Sequence, residues 1–143
     1  DEGVALLYIL GEPSSLQFSK VDIGKIQRLT DNIGRCLQMV PESSDLSFVQ
    51  KNENDEWWIY RMDSKSLEKT AIVKALETED HDFTWLHDGT ILMAQGSQLY
   101  RIKPKSGQDW TLIADFADQG IHDITRLAVN ASATRLAFVA ADQ

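Results

Sequence analysis

Short apolar runs recur along this chain at a nearly fixed distance. The runs at residues 46–49, 91–94 and 136–139 begin 45 residues apart, and another at 6–9 begins 40 residues before the first of them. Within a repeat, the apolar run is followed by a turn, an aromatic-rich run, a second turn and a run of alternating polarity. A period of about 40 to 45 residues that holds several short strands is typical of a β-propeller blade. The pattern predicts an all-β protein, a β-propeller made of four-stranded antiparallel blades.

The recurring runs are the second strands of the predicted blades, and the other strands follow from their positions. First strands, nearest the propeller axis, are predicted at residues 36–40, 82–86 and 124–129. Third strands are predicted at 16–21, 57–62 and 98–103, and outer strands at 25–29, 67–73 and 110–114. His87-Asp88-Gly89 separates a first from a second strand, and Asp-Gly is a strong hairpin signal because glycine accepts a positive φ. One short helical turn is expected within residues 115–120.

The strand count predicts an incomplete ring. Residues 4–30 form an incomplete blade, 36–73 and 82–114 form complete blades, and 122–140 supply only a first and a second strand. Residues 1–143 therefore hold about three and a quarter blades. Propellers close with about four to eight blades. We expect a ring of six or seven, of which this chain is the C-terminal half. The remaining half comes from the same polypeptide or from a swapped homodimer.

Composition narrows the class of partner. The hydrophobic content of 43% predicts a folded chain, and the net charge of −8 disfavours binding to nucleic acid. No apolar run is long enough to insert into a membrane. The single cysteine, Cys36, lies in a strand-like stretch and is expected to be a small buried hydrophobe. Metal-ligand spacings, phosphate-binding loops and a nucleophile elbow are missing from the sequence, so we predict no cofactor and no metal.

Several segments resemble the repeats of TolB-like propellers. Residues 130–139, Asn-Ala-Ser-Ala-Thr-Arg-Leu-Ala-Phe-Val, resemble the family pattern SPDGkrLAFv, and residues 87–92 are a second copy. Residues 59–63 resemble its "iyr-D" strand, and residues 24–30 resemble its "GkvtrLT" outer strand. The turns at 42–45 and 131–134 depart from the family because both lack Asp-Gly. The resemblance implies an exported bacterial protein, periplasmic or secreted.

Candidate binding residues lie in the loops that join one predicted blade to the next. Loops at residues 30–35, 77–81 and 115–123 are expected to converge on one face around the central channel, and loops on a rigid scaffold commonly carry binding sites. The mixture of histidine, arginine, carboxylate and tryptophan suits an anionic or carbohydrate-like ligand or a loop of a partner protein. The alternative is a solvated polar rim. The candidate residues are Arg35, His81, Asp82, Trp85, His122, Asp123 and Arg126.

The sequence favours a non-catalytic scaffold for protein interaction or ligand binding. TolB-like repeats occur in periplasmic scaffold proteins, in the propeller domains of prolyl-peptidase-like hydrolases and in some polysaccharide lyases. An enzyme therefore remains the alternative. The lyase version would need His81 and His122 to share a divalent metal, and the hydrolase version would need a catalytic domain beyond these residues. No residue is assigned a catalytic role.

Overall fold

The computed structural model describes residues 3–8, 26–104, 107 and 109–141. The strand predicted at residues 16–21 lies outside them, so that prediction is untested. No described helix is long and apolar enough to cross a membrane. The elements are β1 (Gly3–Tyr8), β2 (Ile26–Met39), β3 (Leu46–Lys51), β4 (Trp57–Met62), β5 (Lys69–Lys74), β6 (Phe83–Trp85), β7 (Ile91–Gln95), β8 (Gln98–Ile102), β9 (Thr111–Asp115), the 3₁₀ helix Ala117–Gln119, β10 (His122–Val129) and β11 (Leu136–Ala141).

The described strands form three antiparallel sheets. Sheet A has the order β1-β2-β3-β4-β5, sheet B the order β6-β7-β8-β9, and sheet C contains β10 and β11. The prediction of an all-β protein with antiparallel sheets of about four strands is confirmed. The three second strands, β3, β7 and β11, begin at Leu46, Ile91 and Leu136, so the 45-residue period of the sequence is also the period of the structure.

The prediction of a loop at residues 30–35 is wrong, because strand β2 runs continuously from Ile26 to Met39. Its first half pairs with β1 and its second half with β3, which gives sheet A five strands. Within this predicted loop, Gly34 serves close packing. A Cβ at this position would lie 3.3 Å from the His81 Cβ and 3.4 Å from the Val49 Cβ. The missing side chain therefore lets β2 approach the segment before β6.

The three sheets stack face to face, with sheet B in the middle. Alternate residues of a strand point to opposite faces, and β7 uses both of its faces for packing. One core cluster joins sheet A to sheet B; its buried members are Cys36, Val49, Ile59, Ala75, Phe83, Ile91, Met93 and Ile102. A second cluster joins sheet B to sheet C; its buried members are Leu92, Ala94, Leu99, Ile124 and Leu127. Burial of both faces explains why β7 reads as a continuous apolar run.

The outer faces of the stack are only partly open among the described residues, because Ile33, Phe48 and Met62 form a buried cluster on the outer face of sheet A. Leu37 and Met39 on sheet A are 41% and 55% exposed, and Val139 on sheet C is 58% exposed. Strand β11 pairs with β10 alone in the described part of the chain. These strands do not close into a ring. The observed architecture is a stack of antiparallel sheets, and propeller closure remains a prediction.

Candidate functional site

Three turns of similar construction follow the first strands of the three sheets. Each turn is closed by a backbone hydrogen bond at its base, from Val40 N to Asp45 O (2.9 Å), from Leu86 N to Thr90 O (2.8 Å) and from Asn130 N to Arg135 O (3.1 Å). Each also contains a residue with a positive φ: Glu42 (55°), Gly89 (80°) and Ala133 (52°). The two turns without glycine are one residue longer than the Asp-Gly turn, because their closing bonds join residues five apart and that of the Asp-Gly turn joins residues four apart.

The ends of β2, β6 and β10, together with these turns, line an open cavity of about 460 Å³, which we call the turn pocket. Sheet stacking places the three strand ends side by side, so the pocket contains residues that are about 45 positions apart in sequence. Its polar and aromatic lining residues are Gln38, Glu42, Thr84, Trp85, His87 and Asn130. Apolar side chains complete the wall, including Met39, Leu86 and Val129. The pocket has the mixed lining that is common in small-ligand sites.

The indole of Trp85 is held in a fixed orientation at this pocket. Its Nε1 donates to the Ser47 Oγ at 2.7 Å, a bond that joins sheet B to sheet A. The Gln38 Nε2 donates to the Phe83 backbone carbonyl at 2.5 Å and also crosses from sheet A to sheet B. These contacts order both side chains before any ligand is bound, which lowers the entropic cost of binding.

A second cavity of about 310 Å³ adjoins the turn pocket and shares Pro41, Glu42, Trp85 and His87 with it. Arg61 and Lys103 also line it. The Arg61 Nε lies 2.6 Å from the Asp45 Oδ2, and the Lys103 Nζ lies 3.4 Å from the Asp88 Oδ2. The hydrogen bond from Arg61 lowers the pKa of Asp45, and the Thr90 backbone amide, with a smaller effect of Lys103, lowers that of Asp88. Both cations therefore face carboxylates that stay ionised.

His81 lies at the junction between sheets A and B, away from the turn pocket. Its side chain is only 6% exposed, its φ is 50°, and its ring centroid lies 4.2 Å from that of Trp57. The His81 Nε2 is buried without a hydrogen-bond partner among the described residues. Burial lowers the pKa of this imidazole below its usual value. The geometry indicates a neutral, packed histidine.

Asp82 and Cys36 have structural roles at the same end of β6. The Asp82 Oδ2 accepts a hydrogen bond from the Leu127 backbone amide at 2.7 Å, which joins the segment before β6 to β10. The Cys36 thiol is 4% exposed and donates to the Phe83 carbonyl at 3.3 Å. Burial is the main reason that the pKa of this thiol rises to about 12, so it is a thiol and not a reactive thiolate at neutral pH.

The remaining predicted residues lie elsewhere. His122 is half-buried at the start of β10, whereas Asp123 and Arg126 are exposed. Arg35 lies within β2. Of the predicted residues whose side chains the structure describes, Trp85 alone lines the turn pocket, because β6 has three residues and His81 and Asp82 precede its opposite end. Within the described residues no group of three or more His, Cys, Asp or Glu side chains could hold a metal ion.

Sequence reasoning missed five polar residues of the turn pocket: Gln38, Glu42, Thr84, His87 and Asn130. The signal that could have found them is the period itself. Turns that follow equivalent strands of stacked sheets must lie at the same end of the stack, so the three turns after the first strands had to meet. The candidate residues predicted from the sequence belong mainly to the loops at the other end of the sheets. His87 is exposed and lines both cavities.

The chain has no match among known protein families, curated proteins or solved structures. The fold established by the structure is an all-β stack of antiparallel sheets with four and five strands and an additional strand pair. The likeness to TolB-like repeats rests on the motifs in the sequence alone.

Proposed function

We propose that this chain is part of a β-propeller of the TolB-like kind and acts as a non-catalytic binding scaffold in an exported bacterial protein. Export rests on the motif resemblance at residues 130–139 and 87–92. The propeller is supported by the face-to-face stacking of sheets A, B and C at a 45-residue interval. The remaining blades, in the same polypeptide or in a second copy, would cover exposed apolar residues such as Leu37 and Val139.

The observation that carries the binding role is the turn pocket, where three sheets contribute their strand ends to one cavity of about 460 Å³. A cavity of this size accommodates a small ligand or a few side chains of a partner's loop. Trp85 and Gln38 are fixed there by hydrogen bonds to neighbouring sheets. Sites held on rigid strands bind with less loss of conformational freedom than sites on free loops.

Binding can be tested by filling the pocket. Ala131 is exposed and lines the turn pocket, so Ala131→Trp places an indole inside it. Ala117 is also exposed and lies in the 3₁₀ helix at the other end of the stack, so Ala117→Trp is the matched control. The experiment titrates cellotriose, trigalacturonate and an acetylated Gly-Lys-Gly amide into the full-length protein and follows backbone amide shifts by NMR.

We expect at least one probe to shift the amides of Trp85, His87 and Asn130 in a saturable way. Ala131→Trp should abolish the shifts, whereas Ala117→Trp should keep them. Shifts that survive Ala131→Trp would move the site elsewhere. A probe that is cleaved would contradict the non-catalytic role, and the absence of binding by all three probes would contradict the binding role of this pocket.

A further inference from the structure

Three side chains around the turn pocket have hydrogen-bond donors that are already used within the protein. The Gln38 Nε2 donates to the Phe83 carbonyl at 2.5 Å, and the Trp85 Nε1 donates to the Ser47 Oγ at 2.7 Å. The Asn130 Nδ2 donates to the Ser132 Oγ at 2.8 Å and to the Thr134 Oγ1 at 3.1 Å. What these side chains and their neighbour Glu42 offer to a ligand is acceptor oxygen, namely the Gln38 carbonyl and the Glu42 carboxylate. A ligand that only donates hydrogen bonds fits this arrangement best.

The charge around the pocket favours the same kind of ligand. Glu42 and His87 are the ionisable residues among the described side chains that line it, and neither lysine nor arginine does. The nearest cations, Arg61 and Lys103 of the adjoining cavity, lie against Asp45 and Asp88. The whole chain has a net charge of −8. An anionic group would meet the Glu42 carboxylate, and the two nearest described cations, Arg61 and Lys103, already lie beside carboxylates, so the field favours a cation.

The shape and polarity of the wall specify the rest of the ligand. Met39, Leu86 and Val129 line the pocket with apolar surface, which can cover an aliphatic chain. The indole of Trp85 offers an electron-rich ring, which attracts ammonium groups placed over its face. A neutral sugar fits less well, because it carries no positive charge that could pair with the Glu42 carboxylate.

We propose that the turn pocket binds an alkylammonium group, with Trp85, the Gln38 carbonyl and the Glu42 carboxylate as its recognition elements. This inference rests on the binding role proposed above and names the ligand class of that site. The group has two sources with the same chemistry: a free aliphatic amine, or the lysine side chain of a partner's loop.

The test compares 1,5-diaminopentane, an acetylated Gly-Lys-Gly amide and its Gly-Gln-Gly counterpart, with cellotriose as the neutral sugar. Binding to the full-length protein is followed by NMR at low and high salt. The key variant is Glu42→Gln, which removes the charge and keeps the length of the side chain. The backbone φ at this residue is 55°. Glu53→Gln is the control, because Glu53 is equally exposed but lies in the turn after β3, at the other end of sheet A.

We expect the lysine peptide to bind and the glutamine peptide not to bind. Glu42→Gln should weaken the affinity about tenfold, the usual effect of one charge-assisted hydrogen bond, and Glu53→Gln should leave it unchanged. If both the diamine and the lysine peptide bind, the pocket recognises the amine by itself. If the lysine peptide binds and the diamine does not, the ligand is the loop of a partner protein. If cellotriose binds and neither amine does, the ligand class is wrong while the binding scaffold stands. If Glu42→Gln has no effect on the amines, the recognition proposed here is wrong.

Discussion

Strands β7 and β11 have the same place in their repeats and very different surroundings. Four of the five residues of β7, from Ile91 to Ala94, are buried, whereas β11 alternates between half-buried and exposed along its whole length. β7 pairs with β6 and β8 in the middle sheet, and β11 pairs with β10 at the end of the stack. The difference teaches that an apolar run in this chain does not create its own core. Sheet B packs against a sheet on both faces, whereas sheet C packs against sheet B alone in the part of the chain that the structure describes.

The largest expected difference between sheets B and C is the loss of stability when an apolar side chain is shortened on the corresponding face of each sheet. Leu92 is 6% exposed on the face of sheet B that packs on sheet C, and Val139 is 58% exposed on the corresponding outer face of sheet C. We expect Leu92→Ala to lower the free energy of unfolding by about 2–5 kcal/mol. Val139→Ala should change it by less than about 0.5 kcal/mol. Urea unfolding of each variant measures both values.

The same pair also tests whether another sheet covers sheet C in the whole protein. If Val139→Ala costs as much as a core substitution in the full-length protein, the outer face is buried there and the comparison between β7 and β11 disappears. If Leu92→Ala is harmless, the contact between sheets B and C described above is wrong.

A smaller effect is expected at the turns that lead into β7 and β11. Gly89 has φ 80° in one turn and Ala133 has φ 52° in the other. The left-handed conformation costs an L-residue about 1–2 kcal/mol relative to glycine. Gly89→Ala should therefore destabilise the protein by about 1 kcal/mol, and a Cβ there would meet nothing within 4 Å, so the cost comes from the backbone.

Ala133→Gly is the reciprocal change and should stabilise the protein by up to about 1 kcal/mol. Thermal unfolding of both variants gives the two signs. Equal signs would show that these turns do not share the backbone geometry that the repeat predicts.

The smallest effect at neutral pH belongs to His81, at the junction of sheets A and B. Burial lowers the pKa of His81 below 6.5, and the nearby charge of Lys51 lowers it further. The backbone carbonyl of Glu79 and the carboxylates of Glu77 and Asp80 raise the pKa and so oppose this shift. The unfolded chain binds the proton first, so this contribution to stability is complete above about pH 6.5 and is lost as the pH falls. The loss is at most about 1.4 kcal/mol per pH unit for one proton.

His81→Asn removes the titrating group and keeps a residue that tolerates a positive φ. Urea unfolding between pH 7 and pH 5 should show a smaller pH dependence for this variant than for the original protein. His87→Asn, at an exposed histidine, is the control. If the pH dependence is unchanged in His81→Asn, His81 is not held neutral at the junction. The buried and the exposed histidine would then contribute alike to the pH dependence of stability.

Much of the fold followed from the sequence because side-chain alternation and turn chemistry are local. β4 has the predicted bounds of Trp57 to Met62, and the short 3₁₀ helix lies within the predicted 115–120 segment. The loop at 30–35 failed because glycine is used both at turns and at close contacts. Only the neighbouring His81 Cβ, 47 residues away in sequence, shows which of the two applies to Gly34. Local sequence cannot report such a contact.

The candidate site could be predicted only in small part. Trp85 was predicted and lines the turn pocket, but His81 and Asp82, its near neighbours in sequence, lie at the other end of β6 in packing and hydrogen-bonding roles. A histidine and an aspartate before a strand look alike whether they face solvent or a neighbouring sheet. Burial decides between these roles, and burial depends on residues that are far away in sequence.

The sequence by itself determined the 45-residue period, the position of the strand in each apolar run and the antiparallel order of the strands. These features depend on side-chain alternation and on turns within a few residues. Only the tertiary structure decided which faces are covered, that β2 runs through the expected loop, and that Gln38, Trp85 and Asn130 meet at one pocket. The physical reason is that stacking brings equivalent residues of successive sheets together across one whole repeat. Neither segment alone therefore predicts which residues will be in contact.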